Sequence, residues 1–324
     1  MEKFIQIPGF QLQEDPPIYV ASILGSWLLK HSSPKWRIKD PSKGFQRVVK
    51  EDRAREIATA VLDQKRTFPN AIVLATNIEN FDFKKNKIEV NSKAKFLVVD
   101  GQHRLWAQKF SQFDAEYACT IHCNLDEVAM ARLFLEINDN QKRVPSSLRW
   151  DLVRLVRPND DPFSIAAAEL VFSLATNNNS PLYQRIDLTG EQGVIRLKQG
   201  SLAPEIRNLI SKRSPIRELD FESQYELLER YTAAIRSLDS AGWRNATTAF
   251  YSARVLRVLI RLLPEIVNHK KISPMRLKVP DFKEYLIKID QNSLSLENIR
   301  AKQGGAGMKE IYEEIRSQIF RRRH

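Results

Sequence analysis

Two cysteines, Cys119 and Cys123, are all that the 324 residues hold. A small disulfide scaffold is therefore excluded, and a reducing compartment, the cytoplasm, is expected. Four positions apart on one strand, the two thiols share a side but lie too far apart to bond to each other. No apolar run reaches the roughly 18 residues that a membrane-spanning helix needs, so no membrane partner is expected. The opening stretch, Met1 to Gln6, holds no apolar block ending in small residues, and no secretory signal is expected there. Glycine numbers only 11, which leaves no room for a collagen repeat.

Several chemistry-bearing motifs are missing too. No Gly-x4-Gly-Lys-Ser/Thr run occurs, and no Gly-x-Gly-x-x-Gly precedes a helix. P-loop and dinucleotide-binding readings therefore lack support. Neither Gly-x-Ser-x-Gly nor His-Glu-x-x-His is present, which removes the hydrolases built on them. Zinc-finger, basic-zipper and RNA-binding aromatic signatures are likewise absent. Cys119, His122 and Cys123 would give three zinc ligands, but a structural site needs four. On a strand His122 points away from the two thiols, so core packing is the expected role of this trio.

What the chain does have is a large apolar share, 43%, and an excess of positive charge. A chain of this length with that share buries a sizeable core, which excludes gross disorder. Lys and Arg total 51 against 39 Asp and Glu, a net charge of +12. Such an excess favours polyanions, nucleic acid or nucleotides, although a plain soluble basic surface has the same composition. The excess is uneven: 23 basic and 15 acidic residues fall between Ser201 and His324.

The pattern of apolar residues changes near Pro145. Before it, short apolar runs alternate with helical stretches. Ile18 starts a strand that passes into helical spacing. Arg47 to Lys65 reads as a helix with Ile57, Ala58, Val61 and Leu62 on one face. Ala71 to Ala75, Phe96 to Val99 and Tyr117 to Cys123 read as buried strands. Asn77 to Asn91 reads as a hairpin or surface loop, and Asp126 to Glu136 as a helix. After Pro145 apolar residues recur at helical spacing, through Leu148 to Leu155, Ile165 to Leu174, Tyr225 to Leu238 and Ala249 to Leu263. Ile186 to Leu188 and Val194 to Leu197, around a Gly-containing turn, read as a small hairpin. Lys309 to Arg323 reads as a basic-ended helix entered through Gly304-Gly305-Ala306-Gly307. The expected fold is α/β (α+β): a mixed domain over residues 1–145, then a mostly α-helical, basic domain over 146–324.

The stretch Phe96 to Arg104 carries the clearest chemistry. A buried strand ends at Val99, and Asp100-Gly101-Gln102-His103-Arg104 turns the chain into a helix. A helix start presents unpaired N–H groups and a positive dipole end, which suit phosphate. Gly101 permits close approach of the backbone, and Arg104 can grip phosphate oxygens in two places. A structural reading stands beside this one: Asp100 caps the helix and Arg104 pairs with a surface acid. His103 is a candidate general base, or equally a hydrogen bonder at the helix start.

This pentapeptide resembles the signature of the DGQHR-domain family, which is similar to the ParB/sulfiredoxin-like fold. Gly44 to Arg47 and Phe68 to Leu74 resemble the family's upstream blocks, and Glu136 to Arg143 its downstream block, so the likeness covers about residues 40–150. The resemblance implies that Gly101, Gln102, His103 and Arg104 bind nucleotide phosphates, with Arg47 as a second contact. It implies that Glu136, Asn138 and Gln141 face the same site. There Glu136 or Asp100 would hold magnesium, and Asn138 or His103 would orient a water. ATP or CTP with magnesium is the implied cofactor. The ParB turn is Gly-Glu-Arg-Arg, and this chain differs from it at Gln102 and His103. Sulfiredoxin chemistry needs a cysteine at the turn, which this chain lacks.

Members of the DGQHR family resemble components of DNA-modification and defence loci. The first expectation is a nucleotide-binding, NTP-hydrolysing, DNA-associated component of a bacterial system, of the DpdB type that serves 7-deazaguanine in DNA. The alternative is a DndB-like DNA-binding regulator of DNA phosphorothioation without enzymatic activity. A scaffold within a modification complex is the third class. DNA, nucleotide and other modification proteins of the same locus are the expected partners. Arg254, Arg257 and Arg261 share one side of a helix and are candidates to track a nucleic-acid backbone, or are solvated arginines beside an apolar stripe. Arg321, Arg322 and Arg323 form a basic tail open to the same two readings.

Overall fold

The computed structural model describes residues 4–34, 48–77, 79, 81–84, 87–91, 93–139, 145–190, 197–290, 294–302 and 304–320. The chain divides into two compact units, Met1–Val144 and Pro145–His324. Each has its own apolar core.

The first unit is built on strands β1 (Phe4–Gln13), β2 (Ile18–Leu24), β3 (Ser32–Pro34), β4 (Ile72–Thr76), β5 (Phe81–Lys84), β6 (Lys87–Asn91), β7 (Phe96–Asp100) and β8 (Glu116–Cys123). They form one mixed sheet in the order β3-β7-β4-β8-β2-β1-β6-β5. Helices α1 (Gly25–His31), α2 (Glu51–Ile57), α3 (Gln102–Ala107) and α4 (Glu127–Asp139) accompany it. The expected hairpin between Asn77 and Asn91 is β5 and β6, paired antiparallel with Phe83 opposite Ile88. The helix read from Arg47 begins instead at Glu51, and its second half, Ala58–Leu62, is π-helical.

Central strands are apolar on both sides, as burial on two faces requires. Ile72 and Leu74 on one face of β4 and Ala75 on the other, with Phe96 and Val98 on one face of β7 and Val99 on the other, are all buried. In β8 the enclosed positions alternate, Tyr117, Cys119, Ile121 and Cys123 facing the core. Both cysteines are thus core residues with free thiols, as their spacing suggests. β4 runs antiparallel to β7 and parallel to β8. This pairing sets the outgoing end of β7 beside the incoming end of β4, and the candidate site lies there.

The second unit holds α5 (Ser146–Val156), α6 (Pro162–Thr176), β9 (Ile186–Asp187), β10 (Leu197–Lys198), α7 (Gln199–Ser211), α8 (Phe221–Leu238), α9 (Ser240–Asn245), α10 (Ala253–Lys270), α11 (Val279–Leu286), α12 (Leu296–Ala301) and α13 (Gly304–Ile319). Its mainly helical make-up agrees with the periodicity. Of the hairpin expected over Ile186 to Leu188 and Val194 to Leu197, residues 191–196 lie outside the described residues. β9 and β10 pair in parallel, Ile186 with Leu197 and Asp187 with Lys198. Just after β9 the fully buried Asp187 carboxylate accepts the N–H groups of Thr189 (3.2 Å) and Gly190 (2.7 Å), which closes a turn there. The final helix starts at Gly304 rather than Lys309, so the glycines belong to its first turn.

Candidate functional site

Asp100 closes β7, and Gly101 follows with φ +91 and ψ 13 as the N-cap of α3. A side chain at Gly101 is doubly disfavoured. The left-handed backbone suits glycine, and a Cβ there would stand 2.6 Å from Ile72 Cδ1. The left-handed backbone, more than the contact with the tip of Ile72, calls for the glycine of the motif.

Arg104, one turn into the helix, reaches back. Its Nη2 donates to Asp100 Oδ2 at 2.8 Å, and its Nη1 donates to the carbonyl of Asn70 just before β4. The Asp100 and Arg104 side chains are only 20% and 19% exposed. Asp100 is therefore not the helix cap; α3 has no side-chain cap at all. The carboxylate instead pairs with the arginine of its own motif, which offsets much of the positive charge that phosphate would meet.

The far side of α3 is fixed as well. Tyr117 donates from its hydroxyl to the Arg104 carbonyl at 3.2 Å. Gln108 donates to the Phe113 carbonyl at 2.7 Å and accepts from the Ala115 N–H at 3.2 Å. Burial, with Asp114 nearby, pushes the Tyr117 phenol well above its ordinary range, so it stays a donor. At the start of α2 the Lys50 N–H points at His103 Nε2, 3.4 Å away. That contact uses the ring as an acceptor. Gln102 differs from its neighbours: its Oε1 is shut off from solvent and, among the described residues, meets no donor. An unpaired buried acceptor suits an incoming amine or hydroxyl rather than a phosphate.

The structure thus gathers Asp100, Gly101, Gln102, His103 and Arg104 in one turn. Glu136 and Asn138 lie near the end of α4, which packs against β7. Glu136 is exposed. The Asn138 amide donates to the Phe134 carbonyl of its own helix at 2.8 Å. Arg47 and Gln141 lie outside the described residues, as do Arg321, Arg322 and Arg323. Magnesium held by Asp100 or Glu136 fits poorly, because Asp100 is engaged by Arg104. Among the described residues, no group of three or more His, Cys, Asp or Glu side chains converges as a metal site. Sequence reasoning did not anticipate Asn70, Tyr117, Gln108 or Lys50 as partners of the turn. Their roles come from backbone atoms and from sheet order, which leave no side-chain motif.

The arginines of α10 are likewise occupied. Arg257 donates to Glu205 at 2.9 Å, and Arg261 grips the same carboxylate at 2.6 and 2.7 Å. Glu205 is 2% exposed. Burial raises its carboxyl, but the hydrogen bonds and charges of Arg261 and Arg257 outweigh it, and the net shift is downward. Arg254 donates to the carbonyls of Ile299 and Arg300. Two of the three candidate phosphate contacts therefore share one carboxylate inside the unit.

Comparison with known families gives a match over residues 10–171, to a family described as DndB, DNA-sulfur modification-associated. The match spans half of the chain, from β1 through the whole turn region and into α6. No curated protein and no solved structure matches the chain.

Proposed function

Because this chain belongs to the DndB family, DNA-sulfur modification-associated, we propose that it is the DNA-binding regulator of a bacterial DNA-phosphorothioation system. The family match over residues 10–171 carries the reading. The net charge of +12 supports a polyanionic partner. The turn supports a binding role rather than catalysis. Asp100 and Arg104 are spent on each other, and the Asn138 amide is spent on its own helix. The test is fluorescence anisotropy with labelled duplexes, one from the DNA upstream of the protein's own gene and one of shuffled sequence. The regulator binds the upstream duplex at least about tenfold more tightly at physiological salt. Equal affinity for both duplexes would remove the regulatory reading, and no binding near 50 mM salt would remove DNA altogether.

A second reading has one observation in its favour, the unpaired Oε1 of Gln102. In it the turn takes ATP or CTP, with a hydroxyl or amino group of the nucleoside donating to Gln102. A rise in melting temperature with either nucleotide, lost in Gln102→Leu, supports this reading. Hydrolysis is a separate question, answered by phosphate release from the wild-type chain and from Glu136→Gln. The DpdB-type role rests on that turnover.

A further inference from the structure

Unit 2 contains a cleft of about 640 Å³ between the end of α7, the middle of α10 and the start of α13. That is the size of a small-ligand pocket. Its floor is the Glu205 carboxylate, already neutralised by Arg257 and Arg261. Three further cations stand around it, Lys212, Arg213 and Lys309. All three are exposed, and among the described residues none has an ion-pair partner. Other cations of this unit are committed to carboxylates: Lys270 holds Asp281 and Glu284, Lys302 holds Glu310 and Glu314, and Arg316 holds Glu265. Lys212, Arg213 and Lys309 instead converge on one concavity. Glu313 on the wall is an opposing charge with no ion pair among the described residues.

The cleft also offers polar groups of both kinds. Gly305 lines it in the first turn of the sixteen-residue α13, whose leading N–H groups have no intrahelical acceptor. Atoms added at Gly304 or Gly305 would meet nothing within 4 Å, so this backbone is open to a ligand. On the acceptor side, Ser214 lines the cleft with its Oγ closed to solvent and, among the described residues, without a hydrogen-bond partner. Pro264, inside α10, has no N–H to return to the carbonyl of Ile260, which also lines the cleft. The Tyr312 ring stands beside them, its hydroxyl bonded to Glu265.

We propose that this cleft binds a nucleotide. The phosphate chain lies on Lys212, Arg213, Lys309 and the N-terminus of α13, and the sugar and base lie toward Ser214, Ile260 and Tyr312. Cations and open N–H groups recognise the phosphates, while the acceptors and the ring recognise the nucleoside. This site is separate from the Gly101 turn and needs neither reading given for that turn.

Isothermal titration of the full chain with ATP, tripolyphosphate and adenosine tests the proposal. ATP binds, and Lys212→Ala/Lys309→Ala weakens it by at least about tenfold, the loss of two charge-assisted contacts. Both lysines are exposed, so the variant keeps its fold, checked by circular dichroism. Glu313→Gln tightens ATP, and Lys309→Arg retains it. Tripolyphosphate binds more weakly than ATP, and adenosine more weakly still. Unchanged ATP affinity in the double variant overturns the proposal. So does tripolyphosphate binding as tight as that of ATP, which marks a plain anion site. Loss of duplex DNA binding with ATP binding intact overturns it in favour of a DNA contact. ATP binding abolished by Gln102→Leu alone places the nucleotide at the turn and refutes this site.

Discussion

Arg104 spans two acceptors with its two terminal nitrogens, the Asp100 carboxylate and the Asn70 carbonyl. A planar fork makes that double contact, and a single ammonium does not. Arg104→Ala is expected to lower unfolding stability by about 2 kcal/mol, the range for hydrogen bonds to charged groups. Arg104→Lys should recover little of it. Urea melts of both variants check this, and a fully stable Arg104→Lys would show that charge alone matters. Arg104 variants are for this reason poor probes of ligand binding, and Gln102 is the better one. The thiols give a second residue-scale expectation. Burial pushes Cys119 up to about 12, against a smaller lowering by Arg104, and pushes Cys123 up to about 11. Neither holds appreciable thiolate at pH 8, so a disulfide-exchange reagent should label neither in the folded chain and both in denaturant. Rapid labelling of the folded protein would contradict the core placement. Both thiols were legible as core residues from their spacing. The clamp made by Arg104 was not, because one of its acceptors is a backbone carbonyl 34 residues away.

At the scale of elements, α10 shows how far periodicity reaches. Its apolar stripe predicts the buried face, and the spacing of Arg257 and Arg261 places them on one side. Their partner, Glu205 on α7, is 52 and 56 residues away in sequence. Glu205→Gln leaves two half-exposed arginines without their anion, and a loss of about 3 kcal/mol is expected near neutral pH. The pH dependence has a definite sign. The Glu205 carboxyl is depressed in the folded chain, so its contribution is present above the ordinary glutamate value. It is lost as pH falls through the depressed value. The gap between wild type and Glu205→Gln should therefore close in acid melts below about pH 4. A gap that does not narrow at all as pH falls below the ordinary glutamate value would show that the variant fails for packing reasons. The β9–β10 pair makes the complementary point. Its residues have strand character, but they pair in parallel, and a turn held by the buried Asp187 follows β9.

For the molecule as a whole, the net charge of +12 sets an expectation that no single residue carries. Duplex affinity should fall at least about a hundredfold between roughly 50 and 200 mM salt, from release of the counterions that the phosphates hold. Anisotropy titrations across that range check it, and a flat salt response would exclude backbone contacts as the source of affinity. Composition and periodicity alone determined the mixed first unit and the helical second, because burial on one face writes a period of two or 3.6 into the chain. They also determined the turn at Asp100 to Arg104, because a strand, a left-handed glycine and a helix start leave a local signature. The tertiary structure alone decided what those polar residues do. Asp100 holds Arg104, Glu205 gathers two arginines, and Lys212, Arg213 and Lys309 stand around a cleft without an ion pair among the described residues. A charged side chain is recorded in sequence as a sign without a partner. Which opposite charge it meets depends on the order of strands and the packing of helices that lie tens of residues apart.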